Sequence, residues 1–340
     1  MEPRREFALI EMLEKIFAPS SGKVKLGIGD DAAVVDCLPG NKVLSTDTLV
    51  EDVHFKRAFH PPGWLGNKAI AVNVSDINAM GGVAEFALLA MAIPPAMGDD
   101  YLTKIGQGIA EGCRQYGLEI IGGDITRSPG PFFINIMIWG SVINYITRSG
   151  AKVGDDIWVT GFLGDSYAGW LWLSEEASKN QLELILKEVK ENGLNEGINF
   201  LLKAHLKPQV SSKAGPLLAP LVRSMIDISD GLANDIGHIC TRSNVGASIN
   251  LDSLPLSPAL KWWAKNRGKD PRQLALLGGE DYQLLFSAPP EKEKEIRSIL
   301  ASLKLKCSRI GKIKEKARGV KVFDQKGCQQ LEVEGWDHFA

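Results

Sequence analysis

The sequence predicts an α/β or α+β protein built in two halves, and three observations predict it. Short β-rich runs alternate with longer stretches of helical periodicity over the whole length. Nearly every β-rich run ends in a polar or acidic cluster. The 340 residues exceed the ~100–200 that one domain usually organises, and the texture changes near residue 148. Two domains, 1–147 and 148–340, are therefore expected.

In the first half, Phe7, Ile10, Leu13, Ile16 and Phe17 recur at helical spacing and predict an amphipathic helix over 5–17. Strands are expected at 32–36 and 42–46. Residues 64–80 predict a helix closed by Gly81-Gly82, and 84–93 a buried strand. Residues 99–116 predict a helix despite internal glycines, stopped at Gly117, with strands following at 118–121 and 132–142.

In the second half a strand is expected at 157–160, a helix at 165–173 and a charged helical region over 181–206 ending before Pro208. A strand at 224–228 should run into a helix starting around Asp230, with Ser-Asp as its cap. A strand at 283–287, a helix at 291–303 and a strand at 320–323 complete the reading. No solenoid-period repeat or low-complexity segment interrupts it.

Composition excludes several classes of function. Hydrophobic residues at 44% and charged residues at 24% exclude wholesale disorder. Lys+Arg 39 against Asp+Glu 41 lacks the basic excess of a nucleic-acid binder. The longest apolar run, residues 86–93, stops at Pro94-Pro95, far short of the ~18 residues a membrane span needs. The first 17 residues carry scattered charges and no apolar h-region, so a signal peptide is not expected. Five scattered cysteines without C-x-x-C, and five histidines without H-E-x-x-H, argue against disulfides, zinc and haem. A reducing cytoplasm is the expected compartment.

The chemistry lies in a repeated local pattern: an apolar run, then Gly, Ser or Thr, then Asp. It occurs as GIGDDAAVV (27–35), LSTDTLVEDVHF (44–55), NVSDINAMGG (73–82), IIGGDITRS (120–128), MIDISDGLAND (225–235) and LLGGEDYQL (276–284). A single such tip is ordinarily a turn or a helix cap. Six of them are harder to assign to turns alone. Two follow Gly-Gly, where a backbone can approach a ligand closely. Carboxylates with small neighbours suit a hard cation such as Mg²⁺, and gathered in one cleft they would repel one another without one. Neither a G-x-x-x-x-G-K-[ST] loop nor a full G-x-G-x-x-G fingerprint is present, so any nucleotide would be held by metal ions and backbone N–H groups.

GIGDDAA, STDTLVEDVHF, NVSDINAMGG, GGDITR, TRSGAKVGD, IDISDGL, GGEDYQL and GWDHF resemble, in order, the motifs of the thiamine-monophosphate kinase family. That family belongs with aminoimidazole ribonucleotide synthetase, selenophosphate synthetase and the hydrogenase maturation factor HypE. The resemblance runs over 27–339. It implies an N-terminal α/β domain that binds ATP and Mg²⁺ and an α+β C-terminal domain. It also implies a homodimer in which the N-terminal sheets pair into a shared barrel. The implied reaction is phosphorylation of thiamine monophosphate by ATP, with several Mg²⁺ ions.

Residue by residue, the resemblance implies Asp31, Asp47, Asp76 and Asp124 as metal ligands, with Ser45 and Thr46 adding backbone or hydroxyl oxygens. Spacing alone does not separate Asp31 from Asp30. Asp227 and Asp230 match C-terminal metal positions. Gly123, Asp124, Arg148 and Ser229 match ATP contacts. In a strand Asp227 and Ser229 would project to one side. His54, Glu280 and Trp336 match positions that hold the thiamine phosphate. Family members often carry a nucleotide-contacting tyrosine near the place of Gly106, where this chain departs.

Each position also has a plainer reading: His54 a surface histidine, Arg148 a domain-boundary ion pair, Trp336 an aromatic tucking in the tail, Glu280 a solvated turn acid. Trp336 as a site residue has a physical basis, because a thiazolium ring is a permanent cation and Trp its best aromatic face. A phosphate monoester already carries about −1.5 to −2 charge, so no general base is expected. The alternatives are another ATP-dependent reaction of the superfamily, such as purine-precursor ring closure or selenophosphate synthesis, and a non-catalytic module binding Ca²⁺ or a nucleotide. No Cys or Sec precedes Cys37, and no EF-hand loop is present.

Overall fold

Backbone pairing divides the chain into two compact units, 1–77 with 82–143, and 78–81 with 144–340. The structure is a computed structural model that describes residues 5–18, 22–26, 28, 34–35, 40–176, 196–325 and 327–331. Asp31, Trp336 and most of the GIGDDAA motif lie outside the described residues, as does 181–195 of the charged helical region.

In the first unit, helix α1 (Arg5–Ile16) and a short pair of strands, β1 (Val24–Leu26) and β2 (Val34–Val35), precede a four-stranded mixed sheet. Its order is β3 (Asn41–Val50), β6 (Phe133–Val142), β4 (Val83–Ile93), β5 (Glu119–Arg127). β3–β6 and β6–β4 are antiparallel and β4–β5 parallel. The sheet is open, with β3 and β5 at its edges, so the described residues of one chain close no barrel. One face, with Leu49, Leu89, Met91, Ile134, Ile136 and Ile138, is buried.

Helix α2 (Pro62–Ala79) and helix α3 (Asp99–Tyr116) pack closely because glycines remove side chains at their contacts. A Cβ on Gly108 would sit 1.9 Å from the Gly63 carbonyl oxygen, and one on Gly66 2.2 Å from that of Ile105. Helix α3 ends where expected, at Gly117 in the left-handed conformation (φ 75). Gly106 faces α1, and a Cβ there would meet Ile16 and Leu13 at 3.1 and 3.3 Å.

The second unit is a seven-stranded mixed sheet in the order β13 (Gly327–Gln330), β12 (Val320–Asp324), β9 (Gly246–Asn250), β11 (Cys307–Lys314), β7 (Asp156–Thr160), β10 (Leu284–Ala288), β8 (Ser224–Asp227). β12–β9 is the parallel pair. The central strands are buried on both faces, which is why each is built on an apolar run. Ile157, Val159, Ile226 and Leu285 face one core cluster, and Trp158, Met225, Leu284 and Phe286 the other. The helices are α4 (Asp165–Glu176), α5 (Glu196–Leu206), α6 (Ala214–Leu218), α7 (Leu232–Ser243), α8 (Pro258–Asn266), α9 (Pro271–Leu277) and α10 (Glu293–Ser302). Gly169 lets α4 and α5 meet closely, since a Cβ there would lie 2.2 Å from the Leu201 carbonyl oxygen.

Several local expectations need correction. Three of the N-terminal acidic residues are not at loop tips: Asp47 is inside β3, Asp76 inside α2, and Asp124 inside β5, which runs through Gly122-Gly123 instead of ending at residue 121. β4 supplies the pairing that glycine's poor strand propensity does not. Helix α7 starts at Leu232 after Gly231 (φ 104), with no side-chain cap. Ser229 follows the end of β8, so strand alternation does not set its direction. No helix among the described residues is long and apolar enough to cross a membrane.

Candidate active site

The first unit brings Ser45, Asp47 and Asp76 together. Ser45 and Asp47 are two apart on β3 and project to the buried face of the sheet, toward α2. The Ser45 hydroxyl donates to Asp76 Oδ2 at 2.6 Å. The Asp47 N–H donates to Asn73 Oδ1 at 3.0 Å, and Asn73 Nδ2 donates to the Ala69 carbonyl at 2.9 Å. Asp76 and Asn73 are three apart and share a helix face. Burial, and then the charge of Asp76, push the Asp47 carboxyl up to about 6. Two carboxylates held in a poorly solvated place are a donor set that a hard divalent cation would relieve.

Thr46 points the other way. Asn135 Nδ2 donates to its hydroxyl at 3.0 Å and to that of Thr48 at 2.8 Å, on the outer face of the sheet. Asp124 is on this outer face too. Strand register puts it in the row of Ala90, Asn135 and Thr48, whereas Asp47 is in the row of Ile136, Leu89 and Gly123. β5 is three strands from β3, roughly 14 Å at the usual spacing. Within one chain, Asp124 does not join Asp47 and Asp76. Gly123 has a structural reason of its own, because a Cβ there would sit 1.8 Å from the Leu89 carbonyl oxygen.

His54 closes the turn after β3. Its Nδ1 accepts from the Val50 N–H at 3.0 Å, which fixes the proton of the neutral ring on Nε2. Next to it Glu51 pairs with Arg57 and accepts from the Phe132 N–H at 3.0 Å. Arg148 is exposed, and its side chain makes no ion pair among the described residues, so the boundary ion pair is absent there.

In the second unit two motifs interlock. Asp227 ends β8 and the loop after it carries Ser229 and Asp230; the loop after α9 carries Glu280 and Asp281. The Glu280 N–H donates to the Ser229 carbonyl at 2.7 Å and the Tyr282 N–H to the Ile228 carbonyl at 2.9 Å. A Cβ on Gly279 would lie 2.3 Å from the Ser229 oxygen. The second Gly-Gly pair thus admits the chain's own backbone. Glu280 and Tyr282 both have positive φ (62 and 50), a conformation non-glycine residues hold only when their surroundings impose it.

Asp235 and His238 were missed by the sequence reading. Asp230, Asp235 and His238 offer ligand atoms that all lie within 4.8 Å of one another. Asp235 is buried and accepts from the Asp230 N–H at 3.3 Å. Burial first, then the charges of Asp227 and Asp230, push its carboxyl up to about 8. The usable signal was the D-x-x-H spacing after SDGLAN, which puts both side chains on one helix face.

Asp281 anchors the second loop by accepting from the Gly164 N–H at 2.7 Å and the Ser166 N–H at 3.4 Å at the start of α4. Beside it Asp165 accepts from the Ser257 hydroxyl at 2.5 Å, and burial pushes its carboxyl up to about 7 from 3.8. Between those values the folded chain keeps a proton that the unfolded chain releases, so this group makes stability fall as pH rises. Asp165→Asn is expected to flatten the decline between pH 4 and pH 7, checked by thermal melts across that range.

The chain matches the family described as AIR synthase related protein, with its N-terminal domain over residues 29–142 and its C-terminal domain over 152–324. The thiamine-monophosphate kinase of Aquifex aeolicus is 36% identical over 334 residues, covering 98% of both chains. That of Escherichia coli K12 is 36% identical over 340 residues, again covering 98% of each. The chain belongs to the thiamine-monophosphate kinase family. Among solved structures of the family, the Stenotrophomonas maltophilia enzyme superposes with a TM-score of 0.81 at 34% identity, covering 93% of this chain and 96% of that one. AaThiL complexed with AMPPCP and TMP superposes with a TM-score of 0.74 at 34% identity, covering 100% and 99%. The hydrogenase maturation protein HypE in complex with ATP, at 21% identity and TM-score 0.75, shares the fold.

Proposed function

We infer that this chain phosphorylates thiamine monophosphate to thiamine diphosphate with ATP, by direct in-line transfer of the γ-phosphoryl group. The observation that carries the reading is the cluster of Ser45, Asp47 and Asp76, two carboxylates held together where burial and mutual repulsion already perturb one of them. Full-length relatives named thiamine-monophosphate kinase, and a neighbour complexed with AMPPCP and TMP, support the same pair of substrates.

Asp47, Asp76 and Ser45 of the first unit, and Asp227, Asp230 and Asp235 of the second, would hold Mg²⁺, with Asp31 and Asp124 as further ligands. When bound, the ions neutralise the two anionic phosphate groups that must meet in line. The side chains supply the rest. His54, with its proton on Nε2, donates to a phosphate oxygen of the acceptor. Glu280 accepts from the amino group of the pyrimidine, and Trp336 covers the thiazolium. Gly123, Asp124, Arg148 and Ser229 line the nucleotide. Thr46 contributes its backbone oxygen, since its hydroxyl is on the outer face. The acceptor phosphate attacks as an anion and needs no base.

Residues 1–147 form the nucleotide and dimerisation domain in this reading, and 148–340 the C-terminal domain, in a cytoplasmic homodimer. The outer face of the first sheet exposes Leu44 (57%), Val83 (51%) and Met137 (38%) and has two open edges. A barrel formed by setting β5 of one protomer against β3 of its partner would cover these residues. Sedimentation of the full chain should then report a dimer, and a monomer at every concentration would refute the shared barrel.

Formation of thiamine diphosphate from thiamine monophosphate, ATP and Mg²⁺, followed by chromatography, tests the activity. ADP release with a purine precursor and none with thiamine monophosphate would replace this reading.

A further inference from the structure

Glu280 is a long side chain on a loop, yet both of its carboxylate oxygens are engaged by the chain. Oε2 is 3.1 Å from His205 Nδ1, and the Tyr282 hydroxyl donates to Oε1 at 3.4 Å. His205 is only 5% exposed. It reaches this place because α5 packs against α4 at Gly169, where a Cβ would also crowd the His205 Cβ at 3.3 Å. The Ser166 hydroxyl lies 3.3 Å from the same ring nitrogen.

A leucine could fill the volume between the two helices. A histidine adds an N–H donor aimed at a carboxylate, and a carboxylate only accepts, so Nδ1 carries the hydrogen. The backbone of Glu280 is held in the left-handed region (φ 62) by the Ser229 carbonyl. Backbone and side chain are therefore both set before any ligand arrives.

Building on the assignment of Glu280 to the substrate pyrimidine, we infer that His205 is a positioning residue that presets the Glu280 carboxylate for the amino group of thiamine monophosphate. A preset acceptor spares the rotamer entropy that a free glutamate would lose on binding. The effect belongs to recognition of the aminopyrimidine and leaves phosphoryl transfer and ATP binding untouched.

The test uses steady-state kinetics of the full chain. Removing a hydrogen bond to a charged group should raise KM for thiamine monophosphate about tenfold in His205→Leu, with kcat within about twofold and KM for ATP unchanged. His205→Asn keeps an N–H near the place of Nδ1–H and should restore KM. If the leucine variant does not fold, His205→Gln gives the same comparison, since its amide reaches the Nε2 position instead. Combined with Glu280→Ala, which removes the acceptor, the His205 change should add nothing. An unchanged KM in His205→Leu, or an equal added loss in the Glu280→Ala background, would overturn the inference and leave the substrate reading intact. An unchanged KM in Glu280→Ala alone would overturn both.

Discussion

Asp76→Asn is expected to lower kcat by about 10²–10³-fold, the usual effect of removing one element of preorganised electrostatic stabilisation, while the protein stays folded. Asp76 is one of two carboxylates at the meeting of β3 and α2, and Ser45 holds one of its oxygens at 2.6 Å. Two anionic phosphates cannot approach without counter-charge, and an amide supplies no negative charge to retain a cation. Asp47→Asn should behave alike in activity. Its effect on stability has a definite sign. The Asp47 carboxyl is raised from 3.8 to about 6, so in the absence of cation its ionised form is less favourable folded than unfolded. Replacement should leave the Tm unchanged or higher above pH 6 in chelator. Turnover at the wild-type rate in either variant at saturating Mg²⁺, measured by thiamine diphosphate formation, would remove the metal clamp from the mechanism.

Asp281→Ala should be the more damaging change to the fold. Two buried N–H groups at the start of α4, of Gly164 and Ser166, would lose their acceptor. Each such loss costs about 1–3 kcal/mol, which predicts a clear fall in denaturation midpoint. Glu280 follows directly in the chain, so KM for thiamine monophosphate should rise in whatever fraction remains folded. Asp281→Asn should lose less. The two N–H groups bond different carboxylate oxygens, and the one amide oxygen can still accept the shorter bond, from Gly164. Burial already pushes the Asp281 carboxyl well above its usual range, so loss of the charge is the smaller part of the change. Chemical denaturation of the two variants side by side checks the difference. Equal losses would mean that charge, and not acceptor geometry, holds the loop.

The elements that were legible in the sequence are those whose local signals agree with their surroundings. The bounds of α3 follow from its acidic first turn and its left-handed Gly117. β7, β8 and β10 read as strands because both faces are covered and each is built on an apolar run, 157–159, 225–226 and 284–286. β9 and β11 were not legible. Gly246 opens β9 and Gly311 interrupts β11, and a Cβ at Gly311 would lie 2.1 Å from the Ser248 carbonyl oxygen, so the glycine that weakens the pattern is what the pairing requires. α8 and α9 are short, and their signals, Ser257 and Asp270 as caps before proline, are plain only once those side chains are seen accepting from Leu260 and Arg272.

By itself the sequence determined the inventory of chemistry: many carboxylates beside small residues, no soft metal ligands among them, and an order of motifs matching one family. Tertiary structure alone decided which carboxylates act together. Asp47 and Thr46 are neighbours in the chain and lie on opposite faces of β3, whereas Asp47 and Asp76, 29 residues apart in the numbering, meet. Side chains on a strand reverse direction at every residue, so one position of register moves a ligand from one face to the other. Pairing with β6, far along the chain, sets that register, and no local pattern of residues carries it.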